Sequence, residues 1–146
     1  MKILLPVDGS APSLAAVNHA LELARGGLAA ELVLVNVQEP PSLYEVAVAH
    51  DAERLQKLRV EAGEDLLRPA EALIEANGLE FESEVAGGEP ANVLLELLEN
   101  YGCQAIILGA RGMGDPTAGG LGSVAEAMLA HAAVPVTIVR APAADA

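Results

Sequence analysis

The chain has 146 residues, 52% of them hydrophobic but only two Tyr and one Phe aromatic, and it carries a formal net charge of −13. That length suits one domain, residues 1–146, burying roughly two-thirds of its unfolded surface. The acidic balance excludes general DNA or RNA binding, which needs a Lys/Arg patch to displace counterions, and no apolar run reaches the about 18 residues of a membrane span. With so few aromatics the core is expected to be aliphatic, as in a Val/Ile/Leu-rich parallel sheet covered by Ala/Leu helices. A lone cysteine, Cys103, cannot form an internal disulfide, and the chain opens directly into a strand. Both features point to a reducing, cytoplasmic setting.

Residues 2–7 (KILLPV) read as a short buried strand ended by the turn residues Asp8, Gly9 and Ser10. Leu14, Val17, Leu21 and Ala24 then fall on one helical face, with Gly26 and Gly27 as the stop. Residues 31–37 (ELVLVNV) form a second strand. Residues 38–50 open with Pro40 and Pro41 as a loop, and the pattern leaves open whether this segment orders as a lid. A long helix over about residues 51–77 carries Leu55, Leu58, Ala62, Leu66, Ala70 and Leu73 on one stripe, with Gly78 as its stop. Pro69 inside it is expected to kink the helix or break it in two, and its acidic residues, interspersed with Arg54, Lys57, Arg59 and Arg68, to form a solvated face.

Residues 80–86 (EFESEVA) alternate apolar and acidic positions, as an edge strand does. Gly88, Glu89 and Pro90 start a helix whose face carries Leu94, Leu98 and Tyr101. A strand over residues 104–108, a glycine-rich loop, a helix to about residue 132 and a last strand over residues 134–140 complete the pattern. Alternating strands and helices make a parallel sheet, and right-handed crossovers place helices on both faces.

The glycine-rich loop, GARGMGDPTAGGLGSV over residues 109–124, is the most informative stretch. Glycines at 109, 112, 114, 119, 120 and 122 are expected to take positive φ and bring backbone N–H groups close to an anion. Ser123 stands at the N-terminus of the following helix, either offering a hydroxyl to a bound anion or acting as the N-cap. No Lys follows the glycines, so this is not a P-loop, and a dinucleotide fingerprint would sit on the first strand-to-helix turn. The plainer reading is a turn that lets strand and helix pack closely. The spacing is G-x2-G-x9-G-[ST].

That motif, together with ILLPVDGS near the N-terminus and AHAAVPVTIVR near the C-terminus, resembles the ATP-binding branch of the universal stress protein family across nearly the whole chain. The resemblance implies a Rossmann-like α/β fold: an open parallel five-stranded sheet of order 3-2-1-4-5 with helices on both faces. Ligands of such sheets bind at the switch point, here between Asp8 and Gly109. It further implies that Pro6 and Asp8 line an adenosine pocket and that the backbone of Val37 recognises the adenine edge. Asp8 would hold a ribose hydroxyl or, through water, magnesium. Gly109, Ala110, Arg111, Gly112 and Met113 would pass around ribose or phosphates, and Gly122, Ser123 and Val124 would contact phosphate.

From the residues themselves, Asp8 also reads as capping the turn into the first helix, and Arg111 as a solvated side chain. The spacer MGDPTAGGL holds no Lys or Arg, where many ATP-binding members carry a basic residue, and Asp115 adds negative charge. The implied protein is a stress-response regulator that binds ATP, or a related adenine nucleotide, with magnesium. It would act as a homodimer joined along the last strand through Val134, Val136, Ile138 and Val139. The alternatives are a nucleotide-free scaffold and slow ATP hydrolysis or adenylyl transfer, for which Asp8 is the one plausible contributor. His19, His50 and His131 show no metal-ligand spacing, and Cys103 reads as a core thiol.

Overall fold

Parallel pairing organises the computed structural model, which describes residues 1–40, 42–48, 51–112 and 120–142. Its elements in chain order are β1 (Lys2–Pro6), α1 (Ala11–Arg25), β2 (Glu31–Gln38), α2 (Leu43–Val48), α3 (Ala52–Ala76), β3 (Phe81–Gly87), α4 (Pro90–Asn100), β4 (Ala105–Gly109), α5 (Ser123–His131) and β5 (Val136–Val139). The five strands form one sheet in the order β3-β2-β1-β4-β5, as the family resemblance implied. Leu4 of the central strand pairs with Val33 on one side and Ile106 on the other.

Side chains alternate across the sheet. Ile3, Leu5 and Val7 join Val17, Leu21, Leu67 and Ile74 beneath α1 and α3. Leu4, Val33, Val35 and Ile106 pack with Leu94, Leu98, Ala125 and Met128 beneath α4 and α5. Burial on both faces is why the central strands read as continuous apolar runs rather than alternating ones. The edge strands are different. Glu82 and Ser83 of β3 are exposed, while Val136, Ile138 and Val139 of β5 are half-buried.

Two helical faces differ from the sequence expectation. The buried face of α1 consists of Ser13, Ala16, Val17, Ala20 and Leu21, whereas Leu14 is exposed. Small residues let this helix lie close to β4, so bulk is excluded from the side where hydropathy alone would have put it. In α3 the buried residues are Gly63, Leu67, Ala70 and Ile74, and Leu58 is exposed. The helix makes its closest approach at a glycine: a Cβ on Gly63 would stand 2.5 Å from Val85 Cγ1. Nor does Pro69 break the helix, which is continuous from Ala52 to Ala76. Pro69 sits on the solvent side, where the lost N–H bond is outweighed by the packing of the opposite face.

The segment read as a loop contains α2. Ser42 Oγ accepts the Glu45 N–H at 3.1 Å, and Arg59 of α3 pairs with Glu45 at 3.5 Å. Leu43 and Tyr44 are strongly exposed. Tyr101 is the C-cap of α4 and packs, partly buried, against the Leu94 and Leu98 cluster as expected, and its hydroxyl donates to Glu84 of β3 at 2.6 Å. Losing its proton beside that carboxylate is unfavourable, so the Tyr101 pKa is pushed up to about 12. Cys103 is buried, as expected of a core thiol, and burial raises its pKa. No helix among the described residues is long and apolar enough to cross a membrane.

Candidate functional site

The first wall of the site is the turn after β1. Past the end of that strand the Val7 N–H still reaches the Val35 carbonyl at 2.8 Å, and the Val7 carbonyl accepts from Asn36 Nδ2 at 2.9 Å. The Asp8 N–H donates to Ser13 Oγ at 3.4 Å, and Asp8 Oδ1 accepts the Ser10 N–H at 2.9 Å. This Asx-type contact is the turn-capping role the residues suggested. Gly9 takes φ 84, a left-handed conformation suited to glycine, and a Cβ there would stand 2.8 Å from Leu66 Cδ2 of α3. Ser10 then caps α1 by accepting the Ser13 N–H at 3.3 Å.

The second wall follows β4. A Cβ at Gly109 would stand 2.7 Å from the Pro12 carbonyl carbon, so the end of β4 touches the start of α1 directly. One at Gly112 would stand 2.5 Å from Asp8 Oδ2, which places the carboxylate oxygen not used by Ser10 against the loop backbone. Gly122 donates its N–H to the Ala110 carbonyl at 2.8 Å, closing the loop, and a Cβ there would meet Arg111 Cα at 3.3 Å.

These three glycines provide room rather than an unusual φ. Among the described loop glycines only Gly120, at φ 80, is left-handed; Gly114 and Gly119 lie outside the described residues. Gly122, not Ser123, is the N-cap of α5, and among the described residues no side chain caps that end. Ser123 is the first helical residue, exposed, beside first-turn N–H groups of the kind that intrahelical bonding leaves open. Arg111 is half-buried rather than freely solvated, and its Nη1 donates to the Gly120 carbonyl at 3.3 Å.

Between the walls lies a cleft of about 440 Å³, within the usual size range of small-molecule sites. Pro6, Asp8, Val37, Gly109, Ala110, Arg111, Gly112, Gly122, Ser123 and Val124 all line it, whereas Met113 lies outside the described residues. Sequence reasoning missed Val35, Leu94, Leu108, Pro90, Ser13 and Glu39. The strand period would have found Val35, two residues before Val37 on the same face, and the helical period would have linked Leu94 to Pro90. Nothing in the pattern marked Glu39.

Toward β2 the cleft is lined by the apolar side chains of Pro6, Val35, Val37 and Leu94, and on the far side of β1, after β4, by glycine backbone. Among the described residues, the charged ones in its lining are Asp8, Glu39 and Arg111. No group of three or more His, Cys, Asp or Glu side chains that could hold a metal occurs among the described residues.

A parallel sheet of this order, with its cleft where the crossovers diverge, defines a doubly wound α/β protein of the switch-point kind. The sequence pattern of the universal stress protein family matches residues 1–140, and the chain belongs to that family. It is 30% identical over 141 residues to the universal stress protein MJ0531 of Methanocaldococcus jannaschii, covering 97% of this chain and 82% of that protein. Its fold is similar to that of the protein MJ0577, with a TM-score of 0.84 at 23% identity, covering 98% of this chain and 97% of that one.

Two further structures of the fold were solved with nucleotides. A universal stress protein in complex with cAMP aligns with a TM-score of 0.71 at 24% identity, covering 97% of each chain. The Arabidopsis thaliana family protein At3g01520 with AMP bound aligns with a TM-score of 0.70 at 16% identity, covering 98% of this chain and 93% of that one.

Proposed function

We propose that this protein is an adenine-nucleotide-binding regulator of the universal stress type, a homodimer working in the cytoplasm. The observation that carries the reading is the convergence of Asp8, Gly112, Gly122 and Ser123 on one cleft at the switch point. The apolar side formed by Pro6, Val35 and Val37 suits a purine, and the backbone of Val37 suits its edge. The glycine side suits phosphate, with the first-turn amides of α5 and the Ser123 hydroxyl facing an anion. Nucleotides in two proteins of this fold, cAMP and AMP, agree with that division.

Charge sets the order of ligands. Asp8 and Glu39 oppose Arg111 in the lining, and residues 113–121 contain no Lys or Arg but one Asp. A singly phosphorylated adenine nucleotide therefore binds without a cation, whereas ATP needs magnesium. The donor set fits such an ion: magnesium keeps most of its waters and takes one or two carboxylates plus substrate phosphates, a task for Asp8 Oδ2 with Ser123 nearby. Bound there, magnesium would neutralise phosphate charge. Asp8 fixes the turn through Oδ1 and faces the loop through Oδ2, and Arg111 braces Gly120. The cleft has the features of a binding site more than of an efficient phosphoryl-transfer centre, which concentrates positive charge on the transferring group. Turnover is at most slow.

Dimerisation through β5 is supported by its half-buried Val136, Ile138 and Val139, with Val134 just before it, on an edge to which no further described strand pairs. The direct test is calorimetric titration of AMP, cAMP and ATP with and without magnesium into wild type and Gly122→Asp. Saturable binding in wild type that is lost in the folded variant is the expected result. A folded, ligand-stripped wild type that binds none of them would favour a nucleotide-free scaffold.

A further inference from the structure

Asn36 interrupts an otherwise apolar strand, ELVLVNVQ, and it is only 2% exposed. A buried amide is costly unless its polar atoms are satisfied. Here Nδ2 donates to the Val7 carbonyl at 2.9 Å, and Oδ1 accepts from Gln38 Nε2 at 2.7 Å. That carbonyl belongs to the peptide leading into Asp8. The N–H of the same peptide donates to Ser13 Oγ at 3.4 Å. One peptide plane is thus pinned at both ends by side chains, one from β2 and one from α1, just beyond the last β1–β2 register pair at Pro6 and Val35.

The surrounding fold accommodates this clamp. Val85 of β3 is the register partner of Asn36. A Cβ at Gly63 of α3 would stand 2.9 Å from Asn36 Oδ1 and 2.5 Å from Val85 Cγ1. A glycine in the middle of a long helix weakens it, and this close approach is the reason the position is a glycine.

We infer that Asn36 is a positioning residue of the cleft: through the Val7 carbonyl it orients the Val7–Asp8 peptide and so sets where Asp8 holds Oδ2 against Gly112. The effect on ligand affinity rests on the adenine-nucleotide reading above; the hold on the turn does not. Asn36 lies outside the cleft lining and acts only through its neighbour.

The test is titration of ATP with magnesium into wild type, Asn36→Leu, Asp8→Ala and the double variant, with backbone amide hydrogen exchange measured on the same proteins. Asn36→Leu is expected to bind about tenfold more weakly, within the range for one charged or positioned group. The double variant is expected to bind no more weakly than Asp8→Ala alone, since coupled residues do not add. Exchange at the Asp8 and Ser10 amides accelerates in Asn36→Leu, while the Leu4 and Ile106 amides keep their protection.

Losses that multiply in the double variant overturn the inference, as does unchanged exchange at Asp8 and Ser10. Where Asn36→Leu does not fold, Ser13→Ala releases the other end of the same peptide and is expected to show the same non-additivity with Asp8→Ala. A wild type that binds no adenine nucleotide defeats the functional reading, and the exchange comparison still decides whether Asn36 holds the turn.

Discussion

The two turns that face each other across the cleft are built on opposite principles. After β1 the chain is held by side chains: Asp8 on the Ser10 amide, Ser10 on Ser13, Ser13 on the Asp8 amide and Asn36 on the Val7 carbonyl. After β4 the chain is shaped by the lack of side chains, because Gly109, Gly112 and Gly122 each lie where a Cβ would crowd a neighbour. The first turn delivers a carboxylate at a fixed point; the second clears space beside it. A site for an anionic ligand needs both, one to orient and one to admit.

The comparison can be broken at either wall, and the largest effect is expected at Gly109. A methyl there meets Pro12 backbone atoms at 2.7 and 2.9 Å, which cannot rotate away. Gly109→Ala is expected to lose about 1–3 kcal/mol of stability, the usual cost of overpacking, measured by urea unfolding. Unchanged stability would mean that the walls are not in contact.

Gly112→Ala is expected to do less to the fold and more to the ligand. Its methyl meets a side-chain oxygen, Asp8 Oδ2, which can swing aside. Stability is expected to fall by under about 1 kcal/mol, because only a carboxylate must move. Magnesium-dependent ATP affinity is expected to fall about tenfold or 1.4 kcal/mol, as the carboxylate is displaced. AMP affinity, with no cation to hold, changes less. Equal losses for both ligands would show that Asp8 does not discriminate between them.

How far the sequence reveals the molecule follows from the same contrast. Strands buried on both faces announce themselves as apolar runs, so ELVLVNV and AIIL were legible, along with the alternation that makes the sheet parallel. The loop was legible because glycines at set spacings are uncommon outside such turns. The helix faces of α1 and α3 were read in part: Val17, Leu21 and Ala70 are buried as expected, but closest packing also uses Ser13, Ala16, Ala20 and Gly63, residues that a hydropathy stripe does not count. The short α2 depends on one serine cap and one ion pair, too little to stand out beside a Pro pair.

The glycines' purpose was also only half visible. Their spacing pointed to the site, yet whether they serve φ or clearance depends on Asp8, Pro12 and Arg111, far away in sequence or hidden in backbone. Asn36 was in view as a polar residue in an apolar strand, but its partner is a carbonyl 29 residues away.

The measurement that tests the central claim most directly is a map of backbone amide shifts as AMP is titrated into the isotopically labelled protein. The account predicts saturable changes at Asp8, Val37, Gly112, Gly122 and Ser123, with the opposite end of the sheet at Glu31 and Phe81 unmoved. Changes centred away from the cleft, or none at saturating AMP with and without magnesium, would contradict it.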